Sequence, residues 1–325
     1  MKVFISRKIP EIGYQLLREA GLEISAWGDD RMLTQEELIQ YAKQHDAIIC
    51  MNGEKIDKYF LYECKHLKVI SLYSVGYDNM DVAEATRLKI PLGNTPDVLS
   101  DATADIAFTL LLMTCRKAIF HHKRILNNQW DFFRPIANLG IEPKNKTLGI
   151  FGLGRIGMEM ARRCRGAYNM NVIYHNRSQN VIAEKELGAK KVSFDELLAD
   201  SDILSVHSAL TTETKGTFNF AAFSNMKRNA IFINTSRGGV HNEFDLIKAL
   251  NEKLIWGAGL DVTNPEPMKP DNVLLSMPNV SVLPHIGSAT EEARNGMARI
   301  SAENAIAGLR GERLPHPINP EVYLK

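Results

Sequence analysis

The sequence predicts an α/β protein with two doubly wound parallel sheets, the second inserted into the first. Short apolar strands such as 46–51 and 69–73 alternate with helical patterns through residues 2–96, which indicates parallel strands joined by right-handed crossovers. A second alternating series begins at Thr147. Near its start, the glycine-rich run 152–157 follows an apolar strand and opens a helical pattern, so it marks a strand–turn–helix unit.

The first series of elements follows in regular order. The helix expected at 34–44 begins with a capping box, in which Thr34 and Glu37 each accept the other's backbone N–H. A long helical pattern at 101–127 predicts one helix that links the two series. The other expected elements are strands at 2–6, 22–27, 46–51 and 69–73, a helix at 11–20 and a strand entering a loop at 90–96.

The second series forms the inserted part. We expect strands at 148–151, 171–175, 203–207, 230–234, 257–261 and 280–283, a final helix at 289–310 and an irregular tail at 314–325. The final helix is expected to return to the first sheet. The sequence therefore predicts one domain from residues 1–100 and 287–325, and a second domain from residues 101–286.

A loop at 128–143 joins the linking helix to the second series and carries Trp130, Phe132 and Phe133. Exposed aromatic side chains in a loop often mark a contact surface. Packing onto the same subunit is the alternative interpretation.

The composition is that of a globular protein and excludes several classes of partner. The 325 residues are 45% hydrophobic and 24% charged, with a net charge of +1, so nothing favours nucleic acid or an anionic membrane as a partner. The four cysteines show no metal-ligand spacing, and we expect no metal. Cys50, Cys115 and Cys164 lie in apolar segments, which predicts core residues in a reducing compartment. Without a signal-peptide pattern or a membrane-length apolar run, we expect a cytoplasmic protein.

The turn Gly152-Leu-Gly154-Arg155-Ile156-Gly157 is typical of dinucleotide binding. The first glycine permits the tight turn, the second lets a pyrophosphate approach the backbone, and the third lets the helix pack close to the strand. The N-terminus of the following helix offers free N–H groups and a positive dipole end to the phosphates.

The end of the next strand favours NADPH over NADH. An acid about 20 residues past the glycines would take the ribose 2′-OH of NAD, but the strand 171–175 ends in Asn176-Arg177-Ser178. A guanidinium can hold a 2′-phosphate by charge-assisted hydrogen bonds, whereas a carboxylate would repel it. We therefore expect NADPH, with NADH as a weaker alternative.

Three later segments each place a polar residue after an expected strand. Arg237 follows 230–234 beside two glycines, Glu266 lies between two prolines, and His285 follows 280–283. Behind a dinucleotide turn, this set suits hydride transfer to a 2-keto acid. The Arg can grip a carboxylate, and the His can protonate the keto oxygen while the Glu orients it. Substrate is then expected in the crevice between the domains, at the carboxyl ends of strands.

Taken together, these motifs resemble the D-isomer-specific 2-hydroxyacid dehydrogenase family over almost the whole chain. Within the family the chain is most similar to the glyoxylate/hydroxypyruvate reductases. The motifs that carry the resemblance are Ser74-Val-Gly-Tyr-Asp-Asn79, Asn94-Thr-Pro96, the glycine turn, Asn234-Thr-Ser-Arg-Gly238, Gly259-Leu-Asp-Val262, Glu266-Pro267 and His285-Ile-Gly-Ser-Ala-Thr290. The resemblance implies a Rossmann cofactor domain inserted into a flavodoxin-like substrate domain, and a homodimer in which the loop with Trp130 and Phe133 can reach the partner's site.

The resemblance also implies roles for individual residues. Arg237 would bind the substrate carboxylate and keto group, His285 would be the acid/base, and Glu266 would be its partner. Further substrate contacts would come from Met51, the backbone N–H groups of Val75 and Gly76, and Ser288. The implied cofactor-binding residues are Thr103, Gly152, Gly154, Arg155, Ile156, Gly157, Asn176, Arg177, Ser178, Thr235, Asp261, which would meet the nicotinamide carboxamide, His285 and Gly287.

The chain departs from the family pattern at a few positions. The family commonly has His-x-Pro-Leu-Thr where this chain reads His207-Ser-Ala-Leu-Thr211, Phe133 stands where some relatives have Trp, and His241 replaces a usual aliphatic residue. These differences bear on the size of the substrate. The predicted activity is NADPH-dependent reduction of glyoxylate and hydroxypyruvate. Phosphoglycerate dehydrogenase, 2-ketogluconate reductase and a non-catalytic dinucleotide-sensing corepressor remain as alternatives.

Overall fold

The structure, a computed structural model, describes residues 1–324. The chain forms two compact units, one from Met1–Leu99 together with the segment that starts at Ser288, and one from Ser100–Gly287. No helix within residues 1–324 is long and apolar enough to cross a lipid bilayer.

The first unit contains a five-stranded parallel sheet in the order β2-β1-β3-β4-β5. Its N-terminal elements are β1 (Lys2–Ile5), α1 (Glu11–Glu19), β2 (Glu23–Ala26), α2 (Gln35–Ala42), β3 (Ala47–Cys50), α3 (Lys58–Glu63), β4 (Val69–Leu72), α4 (Val82–Arg87) and β5 (Leu92–Gly93). The order is that of flavodoxin-like sheets. β3 and β4 are buried at every position because helices cover both faces, as parallel sheets require.

The second unit contains a seven-stranded parallel sheet in the order β12-β11-β10-β9-β6-β7-β8. Its elements are α5 (Ser100–Cys115), α6 (Ala118–Leu126), β6 (Thr147–Phe151), α7 (Arg155–Tyr168), β7 (Asn171–His175), α8 (Val181–Leu187), β8 (Lys190–Lys191), α9 (Phe194–Asp200), β9 (Ile203–Val206), α10 (Phe220–Ser224), β10 (Ile231–Asn234), α11 (Glu243–Asn251), β11 (Gly257–Leu260) and β12 (Val280–Val282). Counted from β6, this is the Rossmann order with one added strand, and the order reverses between β6 and β9. The predicted fold class is confirmed.

The last helix, α12 (Glu291–Leu309), belongs to the first unit and packs against α1, β3 and β4. Gly308 makes this packing close, because a Cβ atom there would lie 2.4 Å from the Cβ of Val69. The hydroxyl of Ser71 in β4 also donates a hydrogen bond to the carbonyl of Ser301, at 2.9 Å. The C-terminal helix therefore completes a sheet that the N-terminal residues begin.

The single helix predicted at 101–127 is wrong, because the segment forms two helices. α5 ends at Cys115, and Lys117 adopts a left-handed φ of +52° before α6 starts. The Cys115 carbonyl accepts the N–H of Ile141 at 3.0 Å instead of continuing the helical ladder. A Cβ atom at Gly140 would lie 2.1 Å from the same oxygen, so the returning chain caps the end of α5.

Several smaller expectations can be compared with the structure. The capping box of Thr34 and Glu37 at the start of α2 is confirmed. Cys50, Cys115 and Cys164 are buried free thiols, as predicted, and so is Cys64. The two-residue strand β8 was not predicted, and the tail that was expected to be irregular contains a 3₁₀ turn at Pro320–Tyr323.

Candidate active site

The glycine turn has three glycines in three different environments. Gly152 leaves β6 with a φ of +94°, and a Cβ atom there would lie 2.7 Å from the backbone nitrogen of Ser208 after β9. Gly157 allows α7 to pack closely against the turn, since a Cβ atom there would lie 2.8 Å from the Gly152 carbonyl oxygen. At Gly154 a Cβ would meet nothing within 4 Å. The open backbone at the second glycine is what close approach of a phosphate group needs.

Helix α7 begins at Arg155, directly after this open glycine. It is 14 residues long, and its N-cap residue, Gly154, supplies no side chain to cap the first turn. The first turn of α7, which includes the N–H of Ile156, therefore lacks a side-chain cap and is suited to an anionic ligand. The residues present thus fit the pyrophosphate of a dinucleotide.

The segment after β7 holds the glycine turn and carries a positive charge. Asn176 accepts the Leu153 N–H at 2.6 Å and donates to the Leu153 carbonyl at 3.1 Å, so its side chain fixes the turn. Arg177 and Ser178 are exposed. The first acid after α7 is Glu184, which accepts the phenol of Tyr174 at 2.7 Å.

The pairing of Glu184 bears on the choice of cofactor. Because this carboxylate is held by Tyr174 and Gln179, it is not presented at the end of β7 as an acceptor for a ribose hydroxyl. The hydrogen bond from Tyr174 is the main cause that lowers the pKa of Glu184 below its ordinary value. The end of β7 therefore offers a guanidinium and a hydroxyl from Arg177 and Ser178.

Arg237 lies in a turn that the side chain of Asn234 organises at the end of β10. The Asn234 Oδ1 atom accepts both the N–H and the hydroxyl of Ser236, each at 2.9 Å. Its Nδ2 atom donates to the Arg237 carbonyl at 3.0 Å. The guanidinium of Arg237 donates to the Ser236 carbonyl at 2.9 Å. The turn therefore fixes the backbone on which the guanidinium is carried.

Glu266 lies in the long connection from β11 to β12, which is anchored by a buried carboxylate. Glu243, at the start of α11, accepts the Asn264 N–H at 3.1 Å and the Asn272 side-chain amide at 2.7 Å. Gly238, next to Arg237, lies against this connection, because its Cβ would be 1.9 Å from the Thr263 carbonyl oxygen. The turn with Arg237 and the segment with Glu266 are thus neighbours.

His285 follows β12 and pairs with Glu266. Its Nδ1 lies 2.5 Å from Oε1 of Glu266, and the two side chains are 35% and 41% exposed, so substrate can reach them. Partial burial raises the pKa of Glu266, but the hydrogen bond and charge of His285 outweigh it, and the pKa lies below its ordinary value. An ionised Glu266 accepts from Nδ1, which leaves Nε2 for proton exchange.

The backbone at His285 is unusual. Its N–H donates to the Asp261 carbonyl at 2.9 Å, which extends the pairing of β11 and β12 past the end of the sheet. Its φ is +54°, in the left-handed region that few residues other than glycine adopt. Such conformations persist where the surroundings fix them, and they concentrate at functional sites.

The segment that follows His285 is held by Asp261 and lies close to Thr103. The Asp261 carboxylate accepts the N–H groups of Ile286 and Gly287, each at 2.8 Å. A Cβ atom at Gly287 would lie 3.1 Å from that carboxylate and 3.2 Å from the Thr103 side chain. Burial raises the pKa of Asp261, although the two N–H donors act in the opposite direction. In the structure, Asp261 therefore orients the segment that carries His285.

Thr235 lies near a histidine that the sequence analysis did not assign to the site. Its hydroxyl is 3.5 Å from Nδ1 of His207, whose Nε2 lies 2.9 Å from the Ser205 hydroxyl. Removal from water lowers the pKa of His207 to about 4, so the ring is neutral near pH 7. His207 follows β9, where the strand order reverses and ligands of such sheets bind.

The other predicted substrate residues belong to the first unit. Met51 follows β3, Val75 and Gly76 follow β4, and Ser288 precedes α12. The Val75 carbonyl accepts the Asn94 side chain at 2.8 Å, and the Gly76 carbonyl accepts the Ser74 hydroxyl at 3.1 Å. The turn after β4 is thus fixed by side chains on either side of it.

Four residues that support the candidate site were not assigned to it from the sequence. Asn234, His241 and Glu243 hold the loops of Arg237 and Glu266, and His207 lies near Thr235. Asn234 could have been found as the polar residue that ends an apolar strand, and His241 stood out as a departure from the family pattern. Glu243 reads as an ordinary first-turn acid of α11, because its partners lie 21 and 29 residues away.

The fold and this arrangement of residues define a dinucleotide-dependent oxidoreductase built on two doubly wound sheets. Residues 108–287 match the D-isomer specific 2-hydroxyacid dehydrogenase, NAD binding domain. The chain belongs to this family, as its motifs predicted, and it is an enzyme of the class that reduces 2-keto acids.

Several related proteins are similar over nearly the whole chain. A glyoxylate reductase of Thermococcus litoralis is 44% identical over 325 residues, covering 99% of this chain and 97% of that protein. The glyoxylate reductase/hydroxypyruvate reductase of Homo sapiens is 41% identical over 317 residues, covering 97% of each. Among solved structures, the NADPH-dependent glyoxylate/hydroxypyruvate reductase from Sinorhizobium meliloti, in complex with NADP and malonate, has a TM-score of 0.84 and 29% identity. It covers 100% of this chain and 98% of that one.

Proposed function

We propose that the protein is an NADPH-dependent reductase that converts glyoxylate to glycolate and hydroxypyruvate to D-glycerate. The observation that carries the proposal is the pairing of His285 with Glu266 at 2.5 Å, next to the turn that bears Arg237. The similarity to proteins named glyoxylate reductase supports the choice of substrates.

In this proposal His285 and Glu266 act as one proton-donating unit. Glu266, whose pKa lies below its ordinary value, accepts the Nδ1–H of the imidazole and fixes the orientation of the ring. His285 then delivers its Nε2 proton to the keto oxygen as charge develops there. In the direction of oxidation the neutral ring takes the hydroxyl proton.

Arg237 orients the substrate. Its guanidinium can form two parallel hydrogen bonds with a carboxylate, or one with the carboxylate and one with the keto oxygen. The second arrangement also polarises the keto carbonyl. We also propose Met51, the backbone N–H groups of Val75 and Gly76, and Ser288 as substrate contacts.

The proposed cofactor is NADPH, which supplies a hydride to the keto carbon when bound. The open backbone at Gly154 and the uncapped N-terminus of α7 would hold the pyrophosphate. Arg177 and Ser178 would hold the 2′-phosphate, since the first acid after α7, Glu184, is bonded to Tyr174. Thr103, Thr235 and Asp261 are proposed to contact the rest of the cofactor. The solved relative from Sinorhizobium meliloti, which contains NADP, supports this assignment.

We further propose a cytoplasmic homodimer. Several large apolar side chains are exposed in the segment between α6 and β6. Exposed apolar patches of this kind often mark a contact surface. These side chains are Leu126, Trp130, Phe132, Phe133, Ile136 and Leu139, which are between 63% and 86% exposed. A second copy of the chain is the proposed occupant. The four buried free thiols support a reducing compartment.

The experiment that tests the function is a kinetic panel with glyoxylate, hydroxypyruvate and 2-ketogluconate, each with NADPH and NADH. We expect the highest kcat/KM with glyoxylate or hydroxypyruvate and NADPH, and D-glycerate as the product from hydroxypyruvate. His285→Ala should lose about 10²-fold or more in kcat, because it lacks the general acid. Unaltered turnover by His285→Ala would refute the mechanism, and a preference for 2-ketogluconate would refute the proposed substrates.

A further inference from the structure

A buried histidine, His241, contacts the turn that carries Arg237. His241 lies in the connection from β10 to α11, is 1% exposed and packs its ring near that of Phe232. Its Nδ1 lies 3.0 Å from Nδ2 of Asn234, the residue that organises the turn. No element of the proposed chemistry uses His241 directly.

The hydrogen bonds of Asn234 fix the orientation of its amide. Oδ1 faces the N–H and hydroxyl of Ser236, so it must be the acceptor, and Nδ2 must be the donor. One N–H of Nδ2 donates to the Arg237 carbonyl and the other donates to His241. Nδ1 of His241 is therefore an acceptor, and the ring proton is on Nε2.

That protonation state leaves a buried polar group unpaired. Within residues 1–324, Nε2 of His241 is shielded from water and has no hydrogen-bond partner. Such a group lowers stability, and an apolar side chain would avoid the loss. Burial also lowers the pKa of His241 to about 4, which keeps Nδ1 an acceptor near pH 7. The role of the ring is thus the single bond that Nδ1 accepts.

We propose that His241 is a positioning residue, which holds the Asn234 amide and through it the backbone of Arg237, and so sets the position of the guanidinium that receives the substrate. The inference rests on the proposed function, because it assigns His241 an effect on keto-acid binding. Without an acceptor at Nδ1 of His241, one buried N–H of the Asn234 amide is left unpaired, which weakens the hold of the amide on the Arg237 carbonyl. The guanidinium would then be misplaced, whereas the glycine turn at Gly154 and the end of β7 at Arg177, which hold the cofactor phosphates in the proposal, would not be affected.

The test compares His241→Leu, which removes the acceptor, with His241→Asn, whose side-chain oxygen can occupy the place of Nδ1. We expect His241→Leu to lower kcat/KM for glyoxylate about tenfold, since small errors in placing a binding group reduce rates strongly. The KM for NADPH should not change, and thermal unfolding should occur within a few degrees of wild type. His241→Asn should recover most of the lost kcat/KM.

Two results would overturn the positioning role. One is a His241→Leu enzyme within twofold of wild type in kcat/KM, and the other is an equal loss in both variants, which would indicate packing alone. Arg237→Ala is measured in parallel. If wild type reduces no keto acid, or Arg237→Ala is as active as wild type, the proposed function itself fails, and the role of His241 fails with it.

Discussion

Gly238 lies so close to Thr263 that a Cβ atom on the glycine would be 1.9 Å from the threonine carbonyl oxygen. No side chain could be accommodated there without moving the backbone. The contact holds the turn of Arg237 against the segment of Glu266, so the two loops keep a fixed spacing. The distance between the Arg237 guanidinium and the His285–Glu266 pair therefore depends on the lack of a side chain at Gly238.

Gly238→Ala should consequently separate these loops. We expect kcat/KM for glyoxylate to fall on the order of 10²-fold, the effect of moving reacting groups by about 1 Å. Gly166→Ala in α7 is the matched control, because a Cβ there meets nothing within 4 Å and alanine favours a helix. A Gly238→Ala enzyme with wild-type kinetics would show that the contact does not set the geometry of the site.

Substitutions at Gly154 and Gly157 distinguish an effect on phosphate binding from an effect on folding. Gly154→Ala adds a methyl group to open space at the N-terminus of α7, so it should weaken NADPH binding, measured by fluorescence titration, and leave thermal stability unchanged. Gly157→Ala drives a methyl group to 2.8 Å from the Gly152 carbonyl and should lower the melting temperature. Unchanged NADPH affinity in a folded Gly154→Ala protein would contradict the assigned pyrophosphate position.

Arg177 is expected to determine the cofactor preference. Removing a charged hydrogen bond to phosphate typically costs about 1.5–3 kcal/mol, so Arg177→Ala should lower kcat/KM with NADPH about tenfold or more. The value with NADH should stay nearly constant, because NADH has no 2′-phosphate. Lys185→Ala, an exposed cation of α8, is the control for general charge effects. Equal losses with both cofactors would remove Arg177 from the specificity site.

The stability of the protein should depend on pH through His241. Burial lowers its pKa from 6.5 to about 4 in the folded state. Below pH 6.5 the unfolded chain therefore binds a proton that the folded chain does not, and stability falls as the pH falls from about 6.5 to 4. The full effect is about 3 kcal/mol, by 1.36 kcal/mol per pKa unit.

The His241→Leu variant lacks this pH-dependent contribution to stability. In urea denaturation at pH 7 and pH 4.5, the variant should lose less free energy of unfolding than wild type does. The comparison is a difference between two proteins that share all their other titrating groups. Equal losses would mean that His241 titrates normally in the folded state.

The apolar surface between α6 and β6 should support dimerisation. Phe133 is 85% exposed, and Phe133→Asp should shift the protein toward monomer in sedimentation velocity, because a charge would be buried at the contact. Phe244→Asp, at a 74% exposed phenylalanine of α11, is the matched control and should remain dimeric. A monomeric wild-type protein would refute the proposed assembly.

The sequence predicted well what depends on local pattern. The parallel sheets, the glycine turn and the capping box of α2 each follow from spacing within a few residues, and the structure contains them. Arg237, Glu266 and His285 could be proposed from the sequence because each follows the end of a strand, where folds of this class build their sites. The structure adds the 2.5 Å pairing of His285 with Glu266, which are 19 residues apart.

What the sequence did not reveal depends on contacts between distant residues. The end of α5 is set by the N–H of Ile141, which takes the Cys115 carbonyl from 26 positions further along the chain, and no helix-breaking residue marks the place. The bond from Asn234 to His241 and the anchoring of the Glu266 segment by Glu243 likewise depend on how loops meet. Neither residue type predicts its partner.

The return of α12 to the first sheet has a consequence for synthesis on the ribosome. The N-terminal strands emerge first, yet one of their covering helices is translated only after residues 100–287. The unit made second is therefore the first that can complete its core. Until α12 has been synthesised, part of the five-stranded sheet of the first unit remains exposed to water. Nascent chains in that state are prone to aggregate and to depend on chaperones.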